Sequence, residues 1–267
     1  MQGDQQLSVQ GLSLDIDGHI ASITIDNVAE QNRLTGDAIS GLAGIAQMLG
    51  SRDDVHVVVI RGKGNEFFST GLLNPVLRGR LTKQAVIDLV MEAAAAFDAI
   101  EALPQIVVAG LNGSLRAGGV ELALACDIRI AVAHAHLSLP EAKWGGFPGA
   151  GGPLRLSRLI GRPRALELIC TGREIDSREM EKIGFVQNVV AALAFDQALW
   201  EFALLIAASG PLAVRGAKKI MKVDERPGFD AARDTSLTLR RQLEWSADVD
   251  EGIRAHQEGR APNYSGR

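Results

Sequence analysis

Two apolar stretches separated by a segment of helix length constrain the fold of this chain most. Val55–Arg61 and Ile106–Leu111 are runs dominated by β-branched and aliphatic residues, which are typical of strands buried on both faces of a sheet. Between them, Thr82–Ala102 is predicted to be a long helix, with Thr82 as its N-cap and Pro104 as its stop signal. Because strand–helix–strand units favour parallel pairing, the pattern predicts an α/β fold.

The rest of the chain divides into an alternating part and a helical part. Leu12–Asp17 and His19–Asp26 alternate apolar and polar residues around Asp17-Gly18, which predicts a hairpin. The other predicted elements before residue 194 are helices at Thr35–Leu49, Glu121–Ala125, Gly152–Leu159, Pro163–Cys170 and Ser177–Ile183, and strands at Ile128–Val132 and Phe185–Val190. Only helices are predicted afterwards, at about 194–208, 211–223, 228–243 and 246–258. We therefore expect a core over 1–193 and a helical region over 194–267 that packs against the core or another subunit.

Composition excludes several classes of protein. The 267 residues carry a net charge of −4 and few aromatic side chains, which argues against a nucleic-acid partner. The two cysteines lack metal or redox spacing, and the five histidines are scattered, so we expect no metal site. The first residues do not resemble a signal peptide, and no apolar run is long enough to span a membrane. A cytoplasmic location is expected.

Two glutamates lie in stretches rich in glycine and otherwise apolar. Glu121 lies within Asn112–Ile128, and Glu141 lies within Leu137–Gly152. Burial among such residues raises the pKa of a carboxyl group toward the range that acid–base catalysis needs. The alternative is that each glutamate caps a helix or pairs with an arginine. Two such residues together favour proton transfer on a small bound molecule.

Glycines next to both glutamates leave backbone amides accessible. Gly118 and Gly119 precede the helix that holds Glu121, so the amides at its N-terminus are suited to an anion or a developing oxyanion. The GAGG run at 149–152 lacks the ending of a phosphate-binding P-loop and the context of a dinucleotide fingerprint. We interpret that run as turn geometry.

Four ordered segments resemble the enoyl-CoA hydratase/isomerase (crotonase) family. VVAGLNGSLRAGGVELALACDIRIA and LPEAKWGGFPGAGGPLRLSRLIG are similar to the two longest signatures of that family. FFSTGLLN and ALELICTGREIDSREMEKIGFV are similar to two further elements. The resemblance covers nearly the whole chain. It implies a crotonase-like core of ββα repeats with a C-terminal helical trimerisation region, and an enzyme that acts on coenzyme A thioesters.

The resemblance also implies roles for particular residues. The backbone amides of Leu72 and Gly118 correspond to the oxyanion hole for the thioester carbonyl. Glu121 and Glu141 correspond to the acid–base pair of the hydratases, in which one activates water for attack on C3 and the other supplies the proton to C2. By position, Glu121 is the base for water and Glu141 the proton donor. Gly145 is expected to leave room for the water.

Coenzyme A is expected only as part of the substrate, with no metal or redox cofactor. The family binds it with backbone contacts near Ser69 and Thr70, and Arg33 is a candidate for its phosphates. Further candidates are Lys218, Lys219 and Arg267, and for any single one of these cations an ordinary solvated charge is the favoured interpretation. Trp144 and His256 are interpreted as packing or surface residues. The family forms trimers or dimers of trimers, so we expect a homo-oligomer.

Three departures from the family pattern bear on the reaction. Leu73 replaces an aspartate, Ala117 replaces the first glycine of a trio, and Arg116 occupies a usually apolar position. We expect Arg116 to form a salt bridge or to face solvent rather than to bind a carboxylate of the substrate. The two glutamates favour an enoyl-CoA hydratase over an isomerase. Another thioester reaction of the family, namely double-bond isomerisation, decarboxylation or C–C hydrolysis, is the alternative. A catalytically silent acyl-CoA-binding or RNA-associated homologue is a further one.

Overall fold

The computed structural model describes residues 7–9, 11–225, 234, 237–238, 241–242, 244–260 and 262. The predicted helix at 228–243 lies largely outside these residues, as does Arg267. The described strands are β1 (Leu7–Val9), β2 (Leu12–Asp17), β3 (Ile20–Ile25), β4 (Val57–Gly62), β5 (Phe67–Ser69), β6 (Ile106–Leu111), β7 (Ser114–Arg116), β8 (Ile128–Val132), β9 (His136–Ser138), β10 (Ile175–Asp176) and β11 (Asn188–Val190).

A seven-stranded sheet forms the centre of the described chain, in the order β1-β2-β3-β4-β6-β8-β11. The first three strands pair antiparallel, and the predicted hairpin is confirmed as β2 and β3. From β3 onward every pair is parallel. The two strands predicted to be buried, β4 and β6, are direct neighbours. The α/β prediction is therefore confirmed.

The helices follow the predicted segments closely, except for the short α2, which was not predicted. They are α1 (Gly36–Gly50), α2 (Pro75–Arg78), α3 (Lys83–Ala102), α4 (Gly118–Ala125), α5 (Gly152–Ile160), α6 (Arg162–Thr171), α7 (Ser177–Lys182), α8 (Phe195–Ala207), α9 (Pro211–Glu225) and α10 (Ala247–Gln257). Thr35 and Thr82 cap α1 and α3, since each hydroxyl accepts a hydrogen bond from an amide of the first turn. The helices α1 and α3 pack together, and their buried faces join one continuous core.

A second, smaller sheet was not foreseen as a sheet. Its order is β10-β9-β7-β5, and the pairs β5–β7 and β7–β9 are parallel. Its strands have two or three residues each, which is too short for alternation to be recognised in a sequence. The carboxyl ends of β5, β7 and β9 lead to Leu72, to Gly118 and to Glu141 respectively. This small sheet therefore brings three separate segments of the chain to one edge, where ligands of parallel sheets bind.

The C-terminal region contacts the core through α10. This helix packs against α2 and against a 3-10 helix at Pro140–Trp144. Lys83 at the start of α3 forms an ion pair with Asp250 of α10, with 2.9 Å between Nζ and Oδ2. The expectation that the helical region lies against the core is met by α10, while the division at residue 193 stays a prediction.

None of the described helices is by itself long and apolar enough to cross a bilayer. The segments Ala192–Ala207 and Pro211–Lys219, which are bent by 95° relative to each other, pass on length and composition as a pair.

Asn112 gives a test of how the two sheets are joined. Its Oδ1 accepts from the Gly62 amide at 2.8 Å, and its Nδ2 donates to the carbonyls of Gly64 and Phe67 at 2.9 and 3.3 Å. Because Asn112→Ala leaves buried backbone groups unsatisfied, we expect the free energy of unfolding to fall by about 2–4 kcal/mol in urea denaturation. The exposed Asn65 lies next to Gly64 in the loop that Asn112 contacts, and Asn65→Ala should change the free energy of unfolding by less than about 0.5 kcal/mol.

Candidate active site

Glu121 lies in α4, a helix whose residues are all buried. Glu121 itself is only 2% exposed. Its Oε1 accepts hydrogen bonds from the amides of Ala150 and Gly152, at 2.7 and 2.9 Å. These amides belong to the glycine turn that begins α5, so a carboxylate lies at the N-terminus of that helix, where negative charge is stabilised. The interpretation of GAGG as a turn is confirmed, and the turn also holds Glu121.

Glu141 lies in the 3-10 helix Pro140–Trp144, which follows β9. The residue is half-buried, and its Oε2 is buried. The helix ends at Gly145, which has a left-handed conformation with φ of 72°. Pro140 at the start of the helix suits its first turn, where an amide hydrogen has no internal acceptor.

Glu121 and Glu141 line the same small cavity, which has a volume of about 50 Å³. Leu72, Gly118, Leu73, Phe147 and Val90 also line it. The residues predicted as the acid–base pair and the residues predicted as the oxyanion hole therefore surround one space. They come from three distant parts of the chain, since Gly118 and Glu121 share α4.

The amides of Leu72 and Gly118 lie on backbone segments in direct contact. A Cβ atom added at Gly71 would lie 2.4 Å from the Gly118 nitrogen, and one added at Gly118 would lie 3.3 Å from the Leu72 nitrogen. Gly71 also has a φ of 83°, which favours glycine. Within the described residues, neither the Leu72 amide nor the Gly118 amide donates to a protein acceptor. Two adjacent amide donors are thus available to a ligand.

A larger cleft of about 420 Å³ adjoins the small cavity. Leu73, Asn74, Pro75, Ala117 and Trp144 line both spaces. The predicted ligand residues Arg33 and Thr70 line the large cleft, together with Arg116, Lys143 and His256. The arrangement can hold an extended molecule whose reactive end enters the small cavity.

The charges around the large cleft are partly neutralised. Arg33 pairs with Glu30 at 2.6 Å, and the pKa of that carboxyl is lowered by a hydrogen bond from Asn27 and by the arginine. Arg116 is half-exposed and reaches Glu174 at 3.3 Å, as expected for a salt bridge. The Thr70 hydroxyl donates to the Gln31 carbonyl at 3.3 Å.

Ser69 and Gly145 have close neighbours within the protein. Ser69 is fully buried, and its Oγ accepts from the Gly71 amide at 3.0 Å, so its side chain shapes the turn before Leu72, and a backbone contact with coenzyme A near it stays a prediction. At Gly145, an added Cβ would lie 2.5 Å from the Asp248 carbonyl. A side chain at Gly145 would therefore meet α10, and the room for a water at this glycine stays a prediction.

The remaining cations predicted for phosphate contacts also lie elsewhere. Lys218 is 8% exposed, and its Nζ donates to the Gln105 carbonyl at 2.7 Å and to Asp127 at 2.5 Å. This buried pairing makes Lys218 a structural residue. Lys219 is exposed on the same helix, and it does not line the large cleft.

Sequence reasoning missed residues that line the two spaces. Trp144 and His256 were interpreted as packing or surface residues, yet both line the large cleft. The centroids of their rings lie 6.3 Å apart in an edge-to-face arrangement. Trp144 follows Glu141 in one short helix, so its nearness could have been inferred. His256 belongs to α10, and only long-range packing brings it to the site.

In the part of the chain that the structure describes, no group of three or more His, Cys, Asp or Glu side chains is placed to hold a metal ion.

Residues 15–267 match the sequence family described as enoyl-CoA hydratase/isomerase. The chain belongs to this family. YngF of Bacillus subtilis, assigned by name to the enoyl-CoA hydratases/isomerases, is 36% identical over 252 residues, which are 93% of this chain and 95% of YngF. Carnitinyl-CoA dehydratase of Salmonella typhi is 33% identical over 97% of this chain and 99% of its own length. A crystal structure of an enoyl-CoA hydratase from Bacillus anthracis, 34% identical, has a TM-score of 0.78 and covers 97% of this chain and 100% of its own.

Family membership confirms the crotonase-like fold and identifies the protein as an enzyme of coenzyme A thioesters. An acyl-CoA is therefore the class of substrate. The names of the relatives include hydratases, a dehydratase and isomerases. The particular reaction must be argued from the residues of the site.

Ala117 provides a test of strain at the junction of the two spaces. Its φ of 49° and ψ of −125° are rare for a residue with a side chain. Because glycine adopts this backbone without steric cost, we expect Ala117→Gly to raise the free energy of unfolding by about 1 kcal/mol in urea denaturation, net of the entropy that glycine adds to the unfolded chain. Ala117→Val should lower it, and a loss of stability in Ala117→Gly would show that the alanine is unstrained.

Proposed function

We propose that the protein is an enoyl-CoA hydratase, which adds water reversibly across the 2,3 double bond of a trans-2-enoyl-CoA. The observation that carries the proposal is the single cavity that both glutamates line together with Leu72 and Gly118. Hydration requires a base for water, an acid for carbon and a site for negative charge on the thioester oxygen. These groups supply all three.

The oxyanion hole would lower the barrier to addition. When water attacks C3, the π electrons move toward the thioester carbonyl, and its oxygen gains negative charge. The amides of Leu72 and Gly118 lie on adjoining backbone and are available as donors. Preorganised donors to a developing oxyanion contribute about 3–4 kcal/mol each.

The two carboxylates would divide the proton transfers. Glu121 takes a proton from water as the hydroxyl oxygen bonds to C3, and Glu141 gives a proton to C2 of the resulting enolate. The net change is the addition of one water, and the proton held by Glu121 passes to Glu141 before the next cycle. No electrons are transferred to or from the substrate, so the proposed reaction needs no redox cofactor. Coenzyme A takes part only as a portion of the substrate.

The anchoring of Glu121 supports its role. Two backbone donors fix Oε1, so the carboxylate has one orientation relative to the cavity. A base that is already positioned makes the reaction faster, because little conformational entropy is lost in orienting it when the substrate binds. Glu141 lies on a different element, which suits two carboxylates that act at neighbouring carbon atoms.

Coenzyme A is proposed to lie in the large cleft. Arg33, Arg116 and Lys143 line that cleft, and guanidinium and ammonium groups are suited to phosphate oxygens. The cleft meets the small cavity at Ala117 and Trp144. A thioester bound there can place its acyl group next to both glutamates.

The hydration proposal predicts large rate losses in two variants. Glu121→Gln and Glu141→Gln should each lower the hydration rate of crotonyl-CoA by about 10²- to 10⁴-fold, because a glutamine cannot transfer the proton. The loss of ultraviolet absorbance by the enoyl thioester measures the rate. Binding of a CoA ester by calorimetry should survive in both variants.

The exposed Glu66 provides the matched control, and Glu66→Gln should keep the wild-type rate. Retained activity in both site variants would overturn the assigned roles. If wild type hydrates no enoyl-CoA but decarboxylates or isomerises a thioester, the alternative reaction of the family is correct.

We also propose that the protein is a homo-oligomer, either a trimer or a dimer of trimers. The C-terminal helices expose large apolar side chains, which are Trp200, Leu204 and Leu205 on α8 and Leu212 and Met221 on α9. Clustered apolar exposure of this kind marks protein–protein contacts.

The self-association proposal predicts a change of mass in solution. Leu205 is 68% exposed, and Leu205→Asp should lower the mass measured by light scattering, because a buried carboxylate at an interface costs several kcal/mol. Leu166→Asp, at an exposed leucine on α6, should leave the mass unchanged. A monomeric wild type would contradict the proposal.

A further inference from the structure

Arg78 is a buried cation on the wall of the small cavity. It is the last residue of α2, is 9% exposed, and lines the same space as Glu121 and Glu141. A buried charge is unfavourable unless it is paired and hydrogen-bonded. Among the described residues that line this cavity, Arg78 is the one with a basic side chain.

The hydrogen-bonding capacity of Arg78 is only partly used. Its Nη2 forms an ion pair with Glu244. Within the described part of the chain, Nε and Nη1 donate to no protein acceptor, and Nε is buried. A guanidinium carries five N–H donors and accepts nothing. Because Nε is enclosed, Nη1 is the donor that a molecule bound in the cavity can reach.

We propose that Arg78 determines specificity by selecting acyl chains that carry a neutral oxygen acceptor, a hydroxyl or carbonyl, one or two carbons beyond the double bond. The inference rests on the proposed hydration of enoyl-CoA. The guanidinium donates to that oxygen while Nη2 remains paired with Glu244. Arg78 is a specificity residue in this scheme, and the glutamates still perform the proton transfers.

The charges of the cavity favour a neutral acceptor over a carboxylate. The positive charge of Arg78 already faces the carboxylate of Glu244, and Glu121 and Glu141 line the same cavity. A carboxylate on the substrate would add negative charge to this group without another cation on the wall. Like charges in a space of low polarity repel strongly.

The size of the cavity limits the length of the acyl chain. Its volume of about 50 Å³ gives room for about three or four water-sized groups. Val90, Phe147 and Pro75 supply apolar walls. A chain of about four or five carbons with one polar end matches both the space and the available donors.

The competing explanation is that Arg78 only attaches the segment around Glu244 to α2. A purely structural role would change the turnover of every substrate by the same factor. A specificity role changes the ratio between substrates of equal size. The substrates in the test therefore differ only in one terminal group.

The test uses the full chain, three enoyl-CoA thioesters and two matched variants. The substrates are trans-2-pentenoyl-CoA, 4-hydroxybut-2-enoyl-CoA, in which a hydroxyl replaces the terminal methyl, and the analogue in which a carboxylate replaces it. For wild type we expect kcat/KM to be highest for the hydroxyl substrate and lowest for the carboxylate. Arg78→Lys keeps a charge for Glu244 but loses the planar fork, and it should lower the hydroxyl-to-methyl ratio about tenfold.

Arg80→Lys is the control, because Arg80 is exposed two residues away, and it should leave the ratio unchanged. If Arg78→Lys does not fold, the double variant Arg78→Gln with Glu244→Gln removes both charges and should show the same loss of preference. An unchanged ratio in the Arg78 variants, or a wild-type preference for the methyl or carboxylate substrate, overturns the inference while hydration stands. If wild type hydrates none of the three, the proposed function fails with it.

Discussion

The site depends on a backbone contact that leaves no room for side chains. At the end of β5, a Cβ at Gly71 would lie 2.4 Å from the Gly118 nitrogen, and a Cβ at Gly119 would lie 2.2 Å from the Ser69 carbonyl oxygen. Only glycine permits such close approach. The contact places the amides of Leu72 and Gly118 side by side and sets the position of α4. The location of Glu121 follows from it.

A second constraint links α4 to α5 through one carboxylate. Glu121 satisfies two amides that a helix N-terminus would otherwise leave without an acceptor. The same side chain therefore serves the architecture and the proposed chemistry. Ala117 adjoins this helix in a conformation that favours glycine, and strain of this kind is found where a ligand site over-determines the backbone. Here the strained residue lies at the junction of the small cavity and the large cleft.

Local patterns were sufficient to predict the central sheet, most described helices and both glutamates. Residues such as Val57–Gly62 and Lys83–Ala102 have periodicity over many positions, so burial and helix formation can be inferred from them. The small sheet could not be inferred, because strands such as β5 and β10 are too short to show a period. The packing of α10, the pairing of Arg78 with Glu244 and the burial of Lys218 against Asp127 join residues far apart in the chain. A local sequence pattern does not specify contacts between residues that are so far apart in the sequence.

The burial of Ser69 and the close approach of α10 to Gly145 show a related limit. A motif identifies which residues lie near a site, but it does not say which of them face the ligand. Ser69 bonds to the amide two residues later, and Gly145 faces α10. Both are required near the cavity for reasons of backbone geometry. Their residue types would be the same whether or not they contacted a substrate.

The docking of α10 has a consequence for biosynthesis. This helix brings His256 to the large cleft, and Gly252 lies so close to Trp144 that an added Cβ would be 2.5 Å from its carbonyl oxygen. A nascent chain whose residues beyond 246 are still inside the ribosome already contains both carboxylates and both amides. It lacks one wall of the cleft. The ribosome therefore synthesises the proton-transfer groups first, and the helix that encloses the thioester last.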